Sequence, residues 1–252
     1  MIEAAGNSDP GCVRKNNEDK LFINQALGLY VLADGMGGAQ AGETAAQIAI
    51  DAVVDYVRGT EQRSSETLVQ AFELANQKVR EEAATAPHLN GMGTTLVAVL
   101  ECGNELAIAS VGDSRAYLVE GNAMKAITQD QTWANEVGRR LGLNDQQLKT
   151  HPMRHVLTMA IGVDAPLRVH SYKVAPGPDV QILLCSDGLH GVVNKETIGE
   201  QLNATASLED KCCALIELAR QAGGPDNITA VLLHHSGSNN SYPQAKNTYP
   251  GQ

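Results

Sequence analysis

The chain has 252 residues, 43% of them hydrophobic, which is enough to bury the core of one sizeable domain. Its 29 acidic and 19 basic side chains give a formal net charge of −10 at pH 7. This acidic balance argues against a surface that binds nucleic acid or an anionic membrane.

The five cysteines are scattered along the chain: Cys12, Cys102, Cys185, Cys212 and Cys213. They form no C-x-x-C pair, and an odd number in such positions is a poor disulfide framework. No run approaches the roughly 18 apolar residues of a membrane span, and the first residues lack the basic and apolar segments of a secretory signal. We therefore expect free thiols and a cytoplasmic protein.

The first third of the chain contains one strong strand pattern and two helix patterns. The apolar run over residues 29–33 predicts a buried strand. Apolar residues at three- and four-residue intervals over 45–57 predict an amphipathic helix. The same spacing over 68–79 predicts a second helix, with Ser64 or Ser65 as its N-cap.

The middle of the chain contains strand patterns followed by an irregular segment. Runs rich in β-formers at 94–100, 106–111 and 115–119 are separated by glycine-containing turns, which predicts a β-meander. The pattern over 132–162 is mixed, and its aromatic and basic residues are expected to be exposed: Trp133, Arg139, Arg140, His151, Arg154 and His155.

The last third returns to regular patterns. Its predicted elements are strands at 168–174 and 180–185, helices at 195–202 and 208–221, and a closing strand at 227–234. Residues 236–252 contain no Leu, Ile, Val or Phe, so they cannot bury enough surface to offset the entropy of ordering. We expect a single domain over 1–235 and a disordered tail.

Three aspartates stand at the ends of apolar strand patterns. Asp34 and Asp187 each follow such a run and precede a glycine, whereas Asp226 precedes a run. One Asp-Gly pair is an ordinary turn signal. Three converging carboxylates would repel one another by roughly 4 kcal/mol per pair at about 4 Å and an effective dielectric near 20. If these strand ends converge, they hold a divalent cation.

Six short motifs occur in order along the chain, and each one alone is weak evidence. They are Gly11-Cys12-Val13-Arg14-Lys15-Asn16-Asn17-Glu18-Asp19, Asp34-Gly35-Met36-Gly37-Gly38, Gly93-Thr94-Thr95, Gly112-Asp113-Ser114-Arg115, Ser186-Asp187-Gly188-Leu189 and Asp226-Asn227-Ile228-Thr229. Together they resemble the PPM family (type 2C) of metal-dependent serine/threonine protein phosphatases, in its compact bacterial form. The match runs from about Asn7 to Leu233.

The resemblance implies an α+β fold with a central β-sandwich of two antiparallel sheets flanked by helices, in a four-layer α-β-β-α arrangement. It implies that residues 132–162 form a flap near the metal site. It also implies two core metal ions, either Mn²⁺ or Mg²⁺, and their ligands. Asp34 would bridge them, the carbonyl of Gly35 would bind one, and Asp187 and Asp226 would complete the coordination of the other.

The remaining roles also come from the resemblance. Arg14 would grip the substrate phosphate, while Glu18 and Asp19 would act mainly through metal-bound waters. Arg14 and Asp19 are thus the expected catalytic residues, and Glu18 is counted with the metal site. Asp113, together with Asp187, would hold a third and weaker ion.

The expected chemistry is attack on phosphorus by a hydroxide that bridges two cations, because such cations lower the pKa of water towards 7. Oxygen-only ligands suit Mn²⁺ or Mg²⁺ better than Zn²⁺. The general acid is unassigned, because Met36 stands where many family members carry a histidine and Gln131 replaces the histidine of a Thr-x-Asp-His pattern. His190 is a candidate substitute, but a lone histidine near a helix start is more often structural or exposed.

The leading hypothesis is a phosphatase that hydrolyses phosphoserine and phosphothreonine in proteins. Its expected partners are phosphorylated proteins and an opposing serine/threonine kinase, and the expected state is a monomer. One alternative is a metallohydrolase of a small phosphoester. Another is a non-catalytic family member that binds phosphoproteins, although such proteins usually lose a metal aspartate and none is lost here.

Overall fold

The computed structural model describes residues 2–37, 41–163 and 166–237 of the chain. Two antiparallel sheets pack face to face between outer layers of helices, which confirms the predicted α+β sandwich. The predicted disordered tail lies outside the described residues from position 238 onwards. None of the helices in the described segments is long and apolar enough to cross a membrane.

The described strands divide between the two sheets. In chain order they are β1 (Ile2–Asp9), β2 (Asp19–Asn24), β3 (Leu29–Met36), β4 (Gly93–Thr94), β5 (Leu96–Cys102), β6 (Glu105–Val111), β7 (Arg115–Glu120), β8 (Ala123–Ala126), β9 (His170–Val174), β10 (Val180–Cys185) and β11 (Ile228–His235). One sheet has the order β1-β11-β10-β7-β8. The other has the order β2-β3-β5-β6-β9, with the short β4 paired to β3.

Each sheet is covered on its outer face by helices. The helices are α1 (Ala41–Arg58), α2 (Ser65–Ala83), α3 (Asp145–Thr150), α4 (Asp187–His190), α5 (Lys195–Leu202) and α6 (Leu208–Gln221). The helices α1 and α2 pack on the sheet that contains β3, whereas α5 and α6 pack on the sheet that contains β11. The bounds predicted for α5 and α6 are confirmed.

The position of β3 between the helices and the other sheet explains why residues 29–33 are all apolar. Leu29, Val31 and Ala33 pack against the helices, while Tyr30 and Leu32 pack between the sheets. Both faces of the strand are therefore buried, and alternation of side chains puts the residue after Ala33 on the inter-sheet face. This alternation directs position 34 into the space where the two sheets end.

The predicted meander is wrong in its last strand. The strands β5 and β6 pair as expected, but β7 pairs with β10 and β8 in the opposite sheet. Gly112, at φ 98°, starts the connection that crosses between the sheets. A turn signal in the sequence does not distinguish this crossover from a hairpin, because both require glycine.

Residues 132–162 are more ordered than the sequence predicts. They contain α3 and a π-helical turn at Ala134–Gly138, and Thr132 pairs with Leu157 in an isolated bridge. Trp133 and His151, expected to be exposed, are only partly so because their rings stack with centroids 4.0 Å apart. Exposure is confirmed for the other four residues expected to be exposed, Arg139, Arg140, Arg154 and His155. The segment therefore contains regular structure and carries charged side chains on its outer surface.

Candidate active site

A cavity of about 590 Å³ opens where the two sheets end. Five acidic residues from different segments line it: Glu18, Asp34, Asp113, Asp187 and Asp226. Arg14, Lys15 and the backbone of Gly35 line it as well. The structure thus brings together all the site residues expected from the sequence except Asp19, which is not part of the lining.

Asp34 occupies the centre of this arrangement. Part of its surface faces the cavity, but the surrounding protein desolvates the carboxylate. Desolvation raises its pKa well above the ordinary value, and the charges of four neighbours raise it further: Asp19, Asp187, Asp113 and Asp226. The backbone N–H of Asp34 donates to Thr95 Oγ1 at 3.1 Å, which fixes the strand at this point. A carboxylate in this setting is stabilised by a proton or by a cation.

Asp19 lies beside Asp34 but outside the cavity lining, because the two residues are partners in the register of β2 and β3. It is only 3% exposed, and its Oδ2 accepts hydrogen bonds from Ser186 Oγ at 2.8 Å and Thr229 Oγ1 at 2.6 Å. Desolvation raises the pKa of Asp19 to about 6 although these two hydrogen bonds oppose the rise. Its Oδ1 is buried and has no hydrogen-bond partner among the described residues. Asp19 is therefore placed to act on the site through Asp34 instead of from the cavity wall.

The opposite sheet contributes Asp187 and Asp226. Asp187 is the first residue of α4, immediately after β10, and burial raises its pKa with the charge of Asp226 as the next cause. Asp226 immediately precedes β11, and its Oδ1 accepts the N–H of Asn227 at 2.8 Å. Its Oδ2 accepts a hydrogen bond from Nη2 of Arg14 at 2.8 Å. Arg14 therefore reaches the cavity rim through an ion pair.

Asp113 approaches the cavity from the crossover between β6 and β7. It is 6% exposed, and its pKa is raised to about 8 by burial first and by the charge of Asp187 next. Gln131 supports the crossover, because its Oε1 accepts the N–H of Gly112 at 2.8 Å. The departure from the Thr-x-Asp-His pattern thus leaves a buried amide that holds the Asp113 loop.

His190 also contacts this loop. Its Nε2 lies 3.0 Å from the carbonyl oxygen of Asp113, and burial lowers the pKa of the ring to about 4. A neutral imidazole with this pKa carries little of its acid form at pH 7. The structural interpretation of His190 fits the geometry better than the interpretation as a general acid.

Gly35 shows a steric reason for its residue type. A Cβ at this position would collide with the carbonyl groups of Gly42 and Glu18. Only glycine permits the backbone of β3 to approach the first residues of α1 so closely at this point. The carboxylate of Glu18 contacts Gly42 in turn, at the edge of the cavity.

Three polar residues that hold the site were not assigned roles from the sequence. Ser186 and Thr229 hold Asp19 as described above. Asn227 ties down the loop that carries Arg14: its Nδ2 donates to the carbonyl oxygens of Pro10 at 3.1 Å and Asn16 at 2.9 Å. Its Oδ1 accepts the N–H of Glu18 at 2.8 Å. A polar residue at an inter-sheet position next to an apolar strand is the signal that could have identified Ser186 and Thr229.

The lining fits divalent cations that prefer oxygen. Within the described segments, no three Asp, Glu, His or Cys side chains are already gathered into a ligand set. The carboxylates instead surround the cavity, and burial first, then their mutual repulsion, raises the pKa values of Asp34, Asp113 and Asp187. Small side-chain adjustments around a cation would relieve this repulsion, because each carboxylate would gain a positive partner.

Comparison with known proteins gives a consistent result. A family model described as Protein phosphatase 2C matches residues 13–232. The serine/threonine phosphatase Stp of Listeria innocua is 32% identical over 243 residues, which cover 93% of this chain and 96% of that protein. The serine/threonine protein phosphatase PstP of Mycobacterium tuberculosis is 35% identical over 92% of this chain and 45% of its own length.

Solved structures extend the similarity to the fold. The M. tuberculosis phosphatase PstP/Ppp superposes with a TM-score of 0.84 at 34% identity, covering 94% of this chain and 99% of that one. The catalytic domain of PstP in complex with two manganese ions gives a TM-score of 0.83 at 33% identity, with coverages of 94% and 99%. The Streptococcus agalactiae serine/threonine phosphatase gives 0.86 at 30% identity, with coverages of 94% and 100%. The similarity therefore extends over nearly the whole sandwich.

Proposed function

The chain belongs to the protein phosphatase 2C family, and we propose that it removes phosphate from phosphoserine and phosphothreonine in proteins with the help of Mn²⁺ or Mg²⁺. The observation that carries the proposal is the cavity that five carboxylates and Arg14 line together. The relatives named above are serine/threonine phosphatases, and one PstP structure contains two manganese ions, which supports the same chemistry here.

Four residues are proposed to hold the two core cations: Asp34, Gly35 through its carbonyl, Asp187 and Asp226. Asp113 with Asp187 is proposed to hold a third ion, and Glu18 to act on the metal site indirectly. When bound, such cations lower the pKa of a water molecule and withdraw charge from the phosphoryl group. The contribution of the chain itself is to hold its carboxylates close together in spite of their repulsion.

Asp19 is proposed to orient Asp34 from outside the cavity lining. Its Oδ2 is fixed by Ser186 and Thr229, which belong to the opposite sheet. The aspartates at the ends of both sheets are therefore connected through one buried carboxylate. This connection supports a fixed distance between the groups that act on the substrate.

Arg14 is proposed to bind the phosphoryl oxygens. Its side chain is 57% exposed and lines the cavity at the rim, so a phosphate that enters the cavity can reach two of its N–H groups. A bidentate contact of this kind orients a phosphate as well as attracting it. Turning towards the phosphate requires Arg14 to exchange its present contact with Asp226.

Several wider properties form part of the same proposal. The catalytic domain is proposed to span residues 1–235, with a flap at 132–162, and to act as a monomer opposite a serine/threonine kinase. All five cysteines are free thiols, which supports a reducing compartment such as the cytoplasm. The presence of Asp34, Asp187 and Asp226 around one cavity favours an active enzyme over a non-catalytic phosphoprotein-binding protein.

The experiment compares turnover of a phosphothreonine peptide and of p-nitrophenyl phosphate in chelator and after addition of Mn²⁺. We expect both activities to require the metal and Asp34→Asn to abolish them, while Asp51→Asn, an exposed aspartate of α1, serves as a charge-matched control. Peptide turnover that persists in exhaustively chelated enzyme would overturn the proposal. Hydrolysis of p-nitrophenyl phosphate without any peptide turnover would favour the small-phosphoester alternative.

A further inference from the structure

We propose that a second cavity, between the flap and the catalytic cavity, is a subsite for an anionic side chain of the substrate, either a carboxylate or a second phosphate near the phosphorylated residue. This flap cavity has a volume of about 590 Å³ and is lined by Arg115, Asp130, Arg139, Lys149, Arg154 and His190, among others. The inference rests on the proposed phosphatase function and adds to it a class of preferred substrate.

The two cavities are continuous along their lining. Asp113, His155 and Asp187 belong to both. A peptide whose phosphate lies in the catalytic cavity can therefore place a neighbouring side chain in the flap cavity. The volume lies within the range of roughly 300–1,000 Å³ that is usual for ligand pockets.

The polar groups at the floor of the flap cavity already form hydrogen bonds and ion pairs with one another. Arg115 donates from Nε and Nη2 to the two carboxylate oxygens of Asp130 at 2.9 and 2.7 Å, and from Nη1 to the hydroxyl of Tyr117 at 2.8 Å. His190 is occupied by the carbonyl of Asp113. These groups form a rigid polar base, and their charges are balanced without a ligand.

The flap wall has an excess of positive charge. Arg139 lies 3.4 Å from Asp145, but Lys149 and Arg154 form no ion pair with any carboxylate of the described segments. Residues 132–162 contain four basic and two acidic side chains, a formal balance of +2 on a chain of −10. The acidic groups Asp113 and Asp187 stand at the end shared with the catalytic cavity, where they are proposed to face cations. An anion in the flap cavity would therefore meet Lys149 and Arg154.

The flap also exposes apolar surface that a folded domain would otherwise bury. Five large hydrophobic residues of the described segments are exposed: Leu141, Met153 and Val156 belong to the flap, Val163 follows it directly, and Val13 lies elsewhere. Met153 is adjacent in sequence to Arg154, and exposed apolar side chains next to a cation indicate a surface for a partner chain. An extended phosphopeptide with an acidic residue has the complementary chemistry.

The test uses the full chain with Mn²⁺ and phosphothreonine peptides that differ at one position, which carries Gln, Glu or a second phosphothreonine. The variable position is moved through the four residues on each side of the phosphothreonine. We expect kcat/KM to favour an anionic peptide over its Gln counterpart by about three- to tenfold, the effect of one or two partly exposed ion pairs. The double variant Lys149→Ala/Arg154→Ala should reduce this ratio to below about twofold.

Arg140→Ala is the matched control, because Arg140 lies on the same flap but does not line the flap cavity. It removes one positive charge from the flap, as each of the two substitutions in the double variant does, and it should keep the wild-type ratio. A preference for both Glu and phosphothreonine identifies a subsite for anions in general. A preference for only one of them shows whether the subsite takes a carboxylate or a phosphate. The proposal is overturned if no position shows an anionic preference, or if the double variant keeps it. Turnover of the Gln peptides tests the phosphatase function separately, because that substrate does not use the subsite.

Discussion

Arg14 Nη2 donates to Asp226 Oδ2 across 2.8 Å, so the group proposed to bind phosphate is bonded to a carboxylate proposed to bind a cation. Both side chains are partly exposed, and ion pairs of this kind contribute only about 0–1 kcal/mol. A cation at Asp226 would compete with Arg14 for the same oxygen. The released guanidinium would then be available to the phosphate, so metal and phosphate should bind more favourably together than separately.

Arg14→Ala should raise the KM for phosphopeptides by about tenfold or more, with a smaller loss in kcat, because a bidentate contact to phosphate is removed. Arg14→Lys should give an intermediate KM, since it keeps the charge but loses the planar fork. Steady-state kinetics at saturating Mn²⁺ provide the measurement. Unchanged kinetic constants in Arg14→Ala would mean that the side chain does not contact the phosphate.

The stability of the metal-free protein should fall as pH rises. The pKa of Asp19 is raised to about 6 and that of Asp113 to about 8, so the folded state holds protons that the unfolded chain has released. The stabilisation is complete below the unfolded pKa values and is lost as pH rises through the folded ones. We expect the Tm in chelator to decrease between about pH 5 and about pH 9, and Mn²⁺ to remove most of the decrease.

Thermal unfolding followed by circular dichroism at constant ionic strength provides this measurement. Asp113→Asn should flatten the upper part of the pH profile in chelator, because it removes the group with the higher pKa. A metal-free Tm that stays level or rises over this range would contradict the assignment of buried, mutually repelling carboxylates.

Asp113→Ala should affect leaving groups unequally. If Asp113 helps to hold the source of the proton for the leaving oxygen, its loss should slow phosphoserine peptides by more than it slows p-nitrophenyl phosphate, whose phenolate leaves without protonation. We expect at least about a tenfold difference between the two deficits. Equal deficits would show that Asp113 does not serve protonation of the leaving group, whatever its role in metal binding.

Gly35→Ala should inactivate the protein or prevent its folding, because the added Cβ would collide with the carbonyl groups of Gly42 and Glu18. Gly59→Ala is the matched control, since a Cβ there meets only Asp55 and Tyr56 carbonyl oxygens at 3.6 and 3.7 Å. Urea unfolding and phosphopeptide turnover are measured for both variants. Wild-type values for Gly35→Ala would mean that the junction of β3 and α1 can yield.

Thr229→Val should destabilise the protein by about 1–3 kcal/mol, because it preserves shape but removes a hydroxyl that donates to the buried Asp19 carboxylate and is hydrogen-bonded to Ser8 Oγ. Thr205→Val, at an exposed position, controls for the change of residue type. Urea unfolding in chelator gives the free energy of unfolding for each. Equal values for the two variants would show that the hydroxyl of Thr229 makes no net contribution to stability.

The sequence predicts correctly those strands and helices whose apolar spacing and capping residues match their burial and their ends in the structure. The run from Leu29 to Ala33 is apolar because both faces of β3 are buried, and α5 and α6 begin at Asn194 and Ser207 caps whose side chains accept N–H groups three residues on. The roles of the aspartates came from the order of motifs, because spacing alone cannot show that positions 34, 187 and 226 meet. Their gathering around one cavity is a tertiary property.

Other features depend on contacts between distant parts of the chain. The local pattern predicts a hairpin after β6, whereas the pairing of β7 with β10 is decided by residues some 65 positions away. Asp19 is likewise separated from Ser186 and Thr229 by most of the sequence, and it meets them only when the sheets pack. The polar residues next to the apolar runs mark Ser186 and Thr229 as unusual, but no local pattern shows that both support the carboxylate of Asp19.

The alternation of faces along the strands sets a limit on how the chain can change length. Tyr30, Leu32 and Asp34 share the inter-sheet side of β3, and Leu21 shares the same side of the neighbouring strand with Asp19. Deleting or inserting one residue within β3 before Asp34 would turn its carboxylate towards α1 and bring an apolar side chain to the cavity. Within β3, only an insertion or deletion of two residues would therefore keep Asp34 facing the cavity. A change of one residue is compatible with the site only in a loop that does not fix the register of β3.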